Sequence, residues 1–247
     1  LDGGFPKYYN NAFDADYDNN IKKFVKNCLD WLNRGRNAKV LITGDVYPGA
    51  PSPTTNYSIK GSGPTDFGVA LPNFIRSLGY QVDILGWTEM DGGAPSALVF
   101  DKYSVVLVFS SAYAPLDSPP IGVSFCRALE NSVRRGTGLM IITDHFDEAN
   151  KKGFGASANL LAHRFYAHFS GNFDRQYIDI DQVRATQGEH PLISGMTGKM
   201  NAFGSESRVD SNGSVGDPQD YVTVDTELTI DVGQTQTTVS VLVNGDT

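Results

Sequence analysis

The sequence has few of the residue types that disulfide-rich and metal-binding proteins use. It holds 2 cysteines and 4 histidines among 247 residues. Two cysteines are too few for a disulfide framework. Cys28 and Cys126 each lie within a helical pattern of apolar residues. We therefore interpret both as buried core thiols, in preference to a bridge or a catalytic nucleophile.

Long apolar segments are also missing. No apolar run approaches the ~18 residues that a membrane-spanning helix needs, so we predict no membrane insertion. The first residues, Leu1 to Gly4, have neither the charged nor the apolar region of a signal peptide. Because the sequence does not begin with Met, we expect a chain that was processed or cut from a longer one. Localisation stays open, with an extracellular or virion setting favoured.

Positive charge is scarce, since 20 Lys and Arg stand against 28 Asp and Glu and give a net charge of −8. Such a chain repels nucleic acid and anionic membranes, so we expect no nucleic-acid partner. The length is sufficient for one main domain with a sizeable core. We predict three parts: an N-terminal arm over 1–20, an α/β domain over 21–205 and a β extension over 206–247.

Short apolar runs alternate with amphipathic segments through most of the chain. Strands are predicted over 39–43, 81–85, 104–109 and 139–143, and helices over 21–32, 67–78, 123–135 and 156–169. Pro72 predicts a kink in the second helix or a later start for it. This alternation is typical of βαβ units. We therefore predict an α/β fold with a mostly parallel sheet that helices cover on both faces.

The two ends of the chain depart from this pattern. The first 20 residues are rich in Gly, Asn, Asp and aromatic residues, which predicts an irregular arm. This arm is expected to dock through Phe5, Tyr8, Tyr9 and Phe13. The last third alternates polar with apolar residues, which predicts half-exposed antiparallel strands over 177–181, 221–232 and 237–243. The last two strands are predicted to form a C-terminal β-hairpin.

The most informative motif runs from Gly136 to Asp147, with the sequence GTGLMIITDHFD. It consists of a glycine turn, a buried strand and a polar cluster. In open α/β sheets, ligands gather beyond the carboxyl ends of the strands. Asp144, His145 and Asp147 therefore form a candidate catalytic cluster. Asp45, directly after the first strand, and His190 are expected to join it.

Carboxylates and imidazoles that converge at a sheet edge suit two kinds of chemistry. They bind a divalent metal ion, or they act as general acid and base. A structural alternative stays open, in which Asp144 and Asp147 cap the following turn and His145 hydrogen-bonds to a loop. A divalent metal is the cofactor that this cluster would take, and no motif indicates a nucleotide.

Four other polar motifs have structural interpretations. We place His163 and His168 on one helix, about 140° apart, as surface or interface histidines. The segment from Asp14 to Asn19 begins like a calcium loop but lacks the EF-hand glycine and glutamate, so its charge is interpreted as favouring the next helix N-terminus. The loop from Gly61 to Pro64 is a weak anion cradle before a helix that Thr65 or Asp66 caps. Asp179 and Asp181 are predicted to share the exposed face of a strand.

The order of elements and two motifs resemble the class I glutamine amidotransferase-like superfamily, whose sheet is flavodoxin-like. The segment from Gly136 to His145 is similar to that family's glycine turn and the strand before its nucleophile elbow. The segment from His190 to Gly195 is similar to its later HP-x-x-x-G stretch. Branches without amidotransferase activity, such as the trehalose-utilisation-like domains, come closest. The resemblance spans residues 39–204 and implies a flavodoxin-like fold.

The resemblance does not bring the family's catalytic residues with it. The family's elbow carries a cysteine, whereas the matching positions here are Asp144, His145 and Phe146. Its later His-x-Glu pair falls near residues 203–207, where only Glu206 is ionisable. We keep Glu206 and His190 as candidate ligand-binding residues. Because the sequence lacks the family's nucleophile and base, we predict that the protein does not hydrolyse glutamine.

Two classes of function remain. The first is a non-catalytic binding or assembly domain that recognises a glycan or protein partner, in an oligomer or in an extracellular or virus-particle assembly such as a tail fibre. Its acidic composition, long polar loops and aromatic arm favour this class. The second is a hydrolase for a carbohydrate or another polar substrate, with His145 as base or ligand and the nearby aspartates as its partners. Fold alone does not choose between them.

Overall fold

The described part of the chain contains nine strands and seven α-helices. A computed structural model describes residues 1–14, 20–36, 38–44, 57–111, 114–115, 121–147 and 152–211. The strands are β1 (Lys39–Gly44), β2 (Gln81–Gly86), β3 (Val105–Phe109), β4 (Ala114–Pro115), β5 (Gly138–Ile142), β6 (Phe146–Asp147), β7 (Lys152–Gly153), β8 (Ala167–Asp179) and β9 (Lys199–Ser211). The helices are α1 (Asn10–Asp14), α2 (Asn20–Asn33), α3 (Ala70–Ser77), α4 (Ala97–Phe100), α5 (Val123–Arg134), α6 (Gly155–Ala162) and α7 (Ile180–Gln187).

The main sheet is parallel, with four strands in the order β2-β1-β3-β5. A second sheet has the order β4-β7-β6-β8-β9, and its pairs are antiparallel. The predicted α/β class, with a flavodoxin-like parallel sheet and antiparallel strand pairs in the C-terminal part, is confirmed. The crossover from β1 to β2 and then to β3 brings their carboxyl ends to one edge of the sheet, as parallel connections require.

Helices cover both faces of the parallel sheet because successive strand residues point to opposite sides. Val40 and Ile42 of β1 join the core under α2 and α3, while Leu41 joins the core under α4, α5 and α6. All three side chains are fully buried. Strands buried on both faces read as continuous apolar runs, which is why the sequence pattern located β1, β3 and β5 closely.

The N-terminal segment is part of the core. Asp2 forms a parallel bridge to Ile142, so it extends the sheet beyond β5. Phe5, Tyr8 and Phe13 are buried to within 1% of complete burial, as predicted for the docking aromatics. The segment is more regular than expected, with a 3₁₀ turn at Phe5–Tyr8 followed by α1. By its contacts, Leu1–Asn212 make one compact unit.

Both cysteines are buried and free, as the core-thiol interpretation predicted. Cys28 faces the sheet from α2 and Cys126 from α5. Burial raises the pKa of Cys28 to about 12. Burial likewise raises the pKa of Cys126 to about 11. Both groups therefore stay protonated thiols at neutral pH, and neither is suited to act as a nucleophile.

The side chain of Asp66 holds together the loop before α3. Asp66 accepts the backbone N–H groups of Ser58 and Gly63 at 2.9 and 2.8 Å. Asp66 therefore occupies the place that an anion would take over Gly61 to Pro64, where the glycine motif was only weak evidence for an anion site. The predicted cap of α3 is wrong. The helix begins at Ala70, with Pro72 in its first turn, and Asn10 accepts the N–H groups of Val69 and Ala70.

The helix predicted over 156–169 ends early. α6 stops at Ala162, and Tyr166 takes a left-handed conformation with φ of 55°, which turns the chain into β8. His163 and His168 therefore lie on different elements, and their rings stack with centroids 5.1 Å apart. Nε2 of His163 and Nδ1 of His168 are 2.8 Å apart. The predicted 140° separation is wrong, because it assumed one continuous helix.

The strand predicted over 177–181 also needs correction. β8 ends at Asp179, whose side chain accepts the N–H of Gln182 and caps α7. Asp181 lies in the first turn of α7, where its carboxylate pairs with Arg184 at 3.0 Å and accepts the N–H of Gly198. An aspartate before a helix competes with strand pairing by capping, and here the cap prevails.

Several predictions fall outside the described residues. These are most of the calcium-like segment after Asp14, residues 46–56 of a long loop predicted over 46–65, and the strands over 221–232 and 237–243. Among the described helices, none combines the length and the apolarity needed to cross a bilayer.

Candidate functional site

Asp144 and His145 follow directly after β5, at the carboxyl edge of the parallel sheet. Oδ1 of Asp144 accepts the backbone N–H of His145 at 2.8 Å and lies 3.7 Å from His145 Nδ1. The Asp144 side chain is 4% exposed and that of His145 is 23% exposed. A buried carboxylate therefore stands behind an imidazole that reaches solvent.

The end of β5 is held in place by two other segments. Thr143 exchanges backbone hydrogen bonds with the N-terminal segment: its N–H donates to Asp2 O, and its O accepts the N–H of Phe5. Its hydroxyl donates to Ser110 O, which lies just beyond β3. These bonds leave the backbone at Asp144 little freedom, so the position of the Asp144 carboxylate is determined by the sheet.

A continuous row of aromatic rings lies beside His145. Its ring meets Phe154 edge to face at 5.2 Å, and Phe154 meets Tyr57 edge to face at 5.7 Å. Tyr57 stacks on Tyr9 with centroids 5.6 Å apart and planes 20° apart. Tyr9 and Tyr57 are both partly exposed. We refer to Tyr9, Tyr57, Asp144, His145 and Phe154 as the carboxyl-edge site.

The hydroxyl groups of the two tyrosines belong to the same polar environment. Burial and the Tyr57 hydroxyl raise the pKa of Tyr9, and the charge of Asp144 adds to this rise. Tyr9 is therefore a neutral phenol throughout the physiological range. A neutral phenol is both a donor and an acceptor of hydrogen bonds, and its ring offers an apolar face.

Tyr57 has a strained backbone, with φ of 75°. For a residue other than glycine, this left-handed backbone conformation costs roughly 1–2 kcal/mol of conformational energy. The conformation is held by its surroundings: the Ser111 hydroxyl donates to Tyr57 O at 2.9 Å, and Phe5 packs on its ring at 5.4 Å. Strain that the fold maintains at one side chain favours a functional role for that side chain.

The serine hydroxyls nearest to this edge bond to the main chain. Ser110 Oγ donates to Phe154 O at 2.8 Å, and Ser111 Oγ donates to Tyr57 O. A serine nucleophile needs its proton to face a base. These two hydroxyls instead connect β3 with the segments that carry Phe154 and Tyr57, so they position the aromatic row.

Asp147 lies on β6, in register with Lys152 of β7. The turn back to α6 depends on Gly153, whose φ is 132° and whose added Cβ would lie 2.6 Å from His145 O. Asp147 therefore belongs to the hairpin that follows His145. Asp45 is outside the described residues, although β1 ends at Gly44 beside Phe109 on the same edge.

The structure keeps His190 away from this site. Its ring lies 5.4 Å from that of Trp31, near the C-terminal end of α2. The carbonyl of Leu32 approaches Gly138, the first residue of β5, so this end of α2 is at the opposite, amino edge of the sheet. The expected convergence of His190 with Asp144 and His145 is wrong, because the HP segment follows α7 and packs on the outside of α2.

Glu206 stands in register with Phe173 in the long β8–β9 pair, and its side chain is outside the described residues. The position that the amidotransferase resemblance matched to the family's later acid is therefore a strand residue. His190 remains a ligand-binding prediction at a separate place, where it lines a shallow surface depression with Trp31, Asp30 and Glu189.

No three His, Cys, Asp or Glu side chains within the described ranges stand close enough to hold a metal ion together. Asp144 and His145 alone supply two neighbouring ligand types, which is fewer than a structural zinc site uses. The divalent metal stays a prediction that depends on Asp45.

Sequence reasoning found the polar half of the site and missed the aromatic half. Tyr9 was expected to dock, and Tyr57 lay within a segment predicted to be a long polar loop. The only available signal was that such loops over a sheet edge are usually functional. The stacking of Tyr9 on Tyr57 joins residues from two separate loops, and no local pattern encodes it.

Comparison with known proteins gives no relative from which a function could be inferred, so the proposal below is based on the geometry of the site. No family model, no curated protein and no solved structure matches this chain. The resemblance to the amidotransferase-like superfamily stays a prediction from its motifs.

Proposed function

We propose that this chain is a binding domain that recognises a sugar-bearing ligand at the carboxyl-edge site. The stacked, partly exposed pair of Tyr9 and Tyr57 beside the Asp144–His145 pair carries the proposal. Sugar rings have apolar C–H faces and hydroxyl rims. A binding site for them needs flat aromatic surfaces together with a few fixed polar groups.

The arrangement supplies both. The tyrosine rings offer the apolar surface, and Phe154 joins that surface to the His145 imidazole. The Asp144 carboxylate accepts the backbone N–H of His145 behind the imidazole, so the polar group that faces solvent beside the rings is the His145 side chain. Few rotatable groups need to be ordered when a ligand binds, which lowers the entropic cost of association.

Binding to a glycan array tests the proposal, followed by calorimetric titration with the oligosaccharide that binds best. We expect Tyr9→Ala and Tyr57→Ala each to weaken binding about fivefold to tenfold, the range for one lost aromatic contact. Tyr177→Ala is the matched control, because Tyr177 is 47% exposed on β8. It should bind like the unmodified chain. An array without binding, or unchanged binding by both site variants, would reject the proposal.

A hydrolase is the second candidate, favoured by one observation. The buried Asp144 carboxylate lies 3.7 Å from the partly exposed His145 imidazole, which is the arrangement of a base and its orienting acid. The contact is longer than a hydrogen bond, and such contacts tighten when substrate binds. Mass spectrometry of the bound oligosaccharide after incubation decides. Cleavage that His145→Ala abolishes supports a hydrolase, whereas intact sugar with retained binding supports the binding domain.

A further inference from the structure

The amino edge of the sheet, opposite the site described above, holds a basic cleft. It is lined by Arg36 after α2, Asp101, Lys102 and Tyr103 before β3, and Arg135 after α5. Three cations and one carboxylate meet here in a chain whose net charge is −8. Like charges that share a cleft repel one another, and a cleft lined by one sign of charge attracts ions of the opposite sign.

One of the three cations is neutralised within the cleft. Arg135 binds Asp101 through two bonds, Nη2 to Oδ1 at 2.8 Å and Nε to Oδ2 at 3.1 Å. Asp101 also accepts the Ser132 hydroxyl at 2.8 Å. These partners lower the pKa of Asp101, with Arg135 as the largest cause. The ion pair of Arg135 and Asp101 is therefore complete at neutral pH.

Arg36 and Lys102 are the other two, and within the described ranges neither forms an ion pair, although the charge of Arg36 adds to the effect of Arg135 in lowering the pKa of Asp101. Arg36 Nη2 donates to the carbonyl of Arg135 at 3.1 Å. Lys102 Nζ lies 5.1 Å from the Tyr103 ring centroid. A planar guanidinium with remaining N–H donors and an ammonium that lines the same cleft match the oxygens of a tetrahedral anion.

The glycine turn before β5 makes room for Arg36. A Cβ on Gly136 would lie 2.5 Å from Arg36 Nη2 and 2.9 Å from its Cζ. Gly136 also has φ of 106°, which favours glycine. The first part of the motif that ends in Asp144 and His145 therefore seats a cation at the other edge of the sheet.

Helix C-termini attract cations even without a ligand, and α2 and α5 both end here. That effect accounts for the bond from Arg36 to Arg135 O. It does not account for the second cation, Lys102, that lines the same open cleft. From the two cations that form no ion pair among the described residues, their shared cleft and the glycine that seats one of them, we infer a binding site for a phosphate or sulfate group at Arg36 and Lys102.

Calorimetric titration with inorganic phosphate and with sulfate, at ionic strength matched with NaCl, tests the inference on the full chain. We expect saturable binding to the unmodified protein. Arg36→Gln and Lys102→Gln should each weaken it about tenfold, the usual effect of one lost charge-assisted bond. Gly136→Ala should also weaken it, because the added methyl group displaces the guanidinium.

Arg76→Gln and Lys23→Gln are the matched controls, since each removes one exposed positive charge from α3 or α2 outside the cleft. They should change the affinity by less than a factor of two. No saturable binding, or equal losses in cleft and control variants, would overturn the inference. Glucose 6-phosphate and glucose 6-sulfate form the second arm: tighter binding than the free anions identifies an ester of a larger ligand, and equal binding identifies the free anion. Neither result depends on the carboxyl-edge site.

Discussion

The Lys7 ammonium lies 2.6 Å from the Asp2 carboxylate, and the two side chains are 3% and 8% exposed. The same carboxylate accepts the Tyr8 hydroxyl and the N–H of Gly4. Asp2 also pairs with Ile142 at the edge of the sheet. A buried ion pair therefore fastens the N-terminal segment to β5.

Lys7→Met should destabilise the protein by about 3 to 5 kcal/mol, because it leaves the Asp2 carboxylate buried without its counter-charge. Urea unfolding measures the loss. The double variant Asp2→Asn with Lys7→Met should lose less than the sum of the single variants. Lys26→Met is the control: its partner Asp30 is 54% exposed, so the loss should stay below about 0.5 kcal/mol. Equal losses from Lys7→Met and Lys26→Met would contradict the prediction.

Stability should fall as pH rises above 9, in part through Cys28. Burial raises the pKa of this thiol from 9.0 to about 12. The folded state therefore favours the protonated thiol, and this contribution is complete below pH 9 and is lost between pH 9 and 12. One such group adds a slope of about 1.4 kcal/mol per pH unit.

Urea unfolding from pH 8 to 10.5 checks this. Cys28→Ala should flatten the decline by about that slope. Val25→Ala, on the same buried face of α2, should lower stability without altering the pH slope. If Cys28→Ala and the unmodified protein decline in parallel, the thiol does not titrate as described.

Asp66→Ala should cost about 2 to 3 kcal/mol, because two partly buried backbone N–H groups, those of Ser58 and Gly63, lose their carboxylate acceptor. Asp30→Ala, which removes an exposed carboxylate from α2, should change the free energy of unfolding by less than about 0.5 kcal/mol. A loss from Asp66→Ala as small as that would show that water replaces the acceptor.

Replacement of Tyr57 tests the strain at its backbone. Tyr57→Gly should be more stable than Tyr57→Ala by about 1 kcal/mol, since glycine adopts φ of 75° without a steric penalty. The order should reverse at Phe74 in α3, where alanine is favoured over glycine by about 1 kcal/mol. Thermal unfolding of the four variants gives both differences. If the alanine variant is more stable than the glycine variant at both positions, the backbone of Tyr57 is not strained.

The sequence predicted the parallel sheet well because each central strand is buried on both faces and reads as an unbroken apolar run. The strand predicted over 139–143 differs from β5 by one residue at each end. The failures share a different cause. Tyr166 turns the chain by a left-handed φ. Asp179 caps a helix in a segment where the alternation of polar and apolar residues predicts a strand. Single backbone or capping events of this kind interrupt a pattern without changing its composition.

Half of the candidate site followed from the same rule as the sheet. Asp144 and His145 were placed at the carboxyl edge because they follow a buried strand. Tyr57 and Tyr9 could not be placed there, since the contact between them depends on how two loops fold over that edge. The basic cleft at Arg36 likewise joins residues from three separate turns, and no local motif connects them.

The bridge between Asp2 and Ile142 also has a consequence for how the chain folds. Contacts between distant parts of a sequence form late, because closing the intervening chain costs entropy before any contact is gained. During synthesis, Phe5, Tyr8 and Phe13 leave the ribosome well before β5, yet the segment that carries them pairs with β5 through Asp2. Three large aromatic residues are therefore exposed until most of the domain has been made, and this interval is when the nascent chain is most prone to aggregate or to need a chaperone.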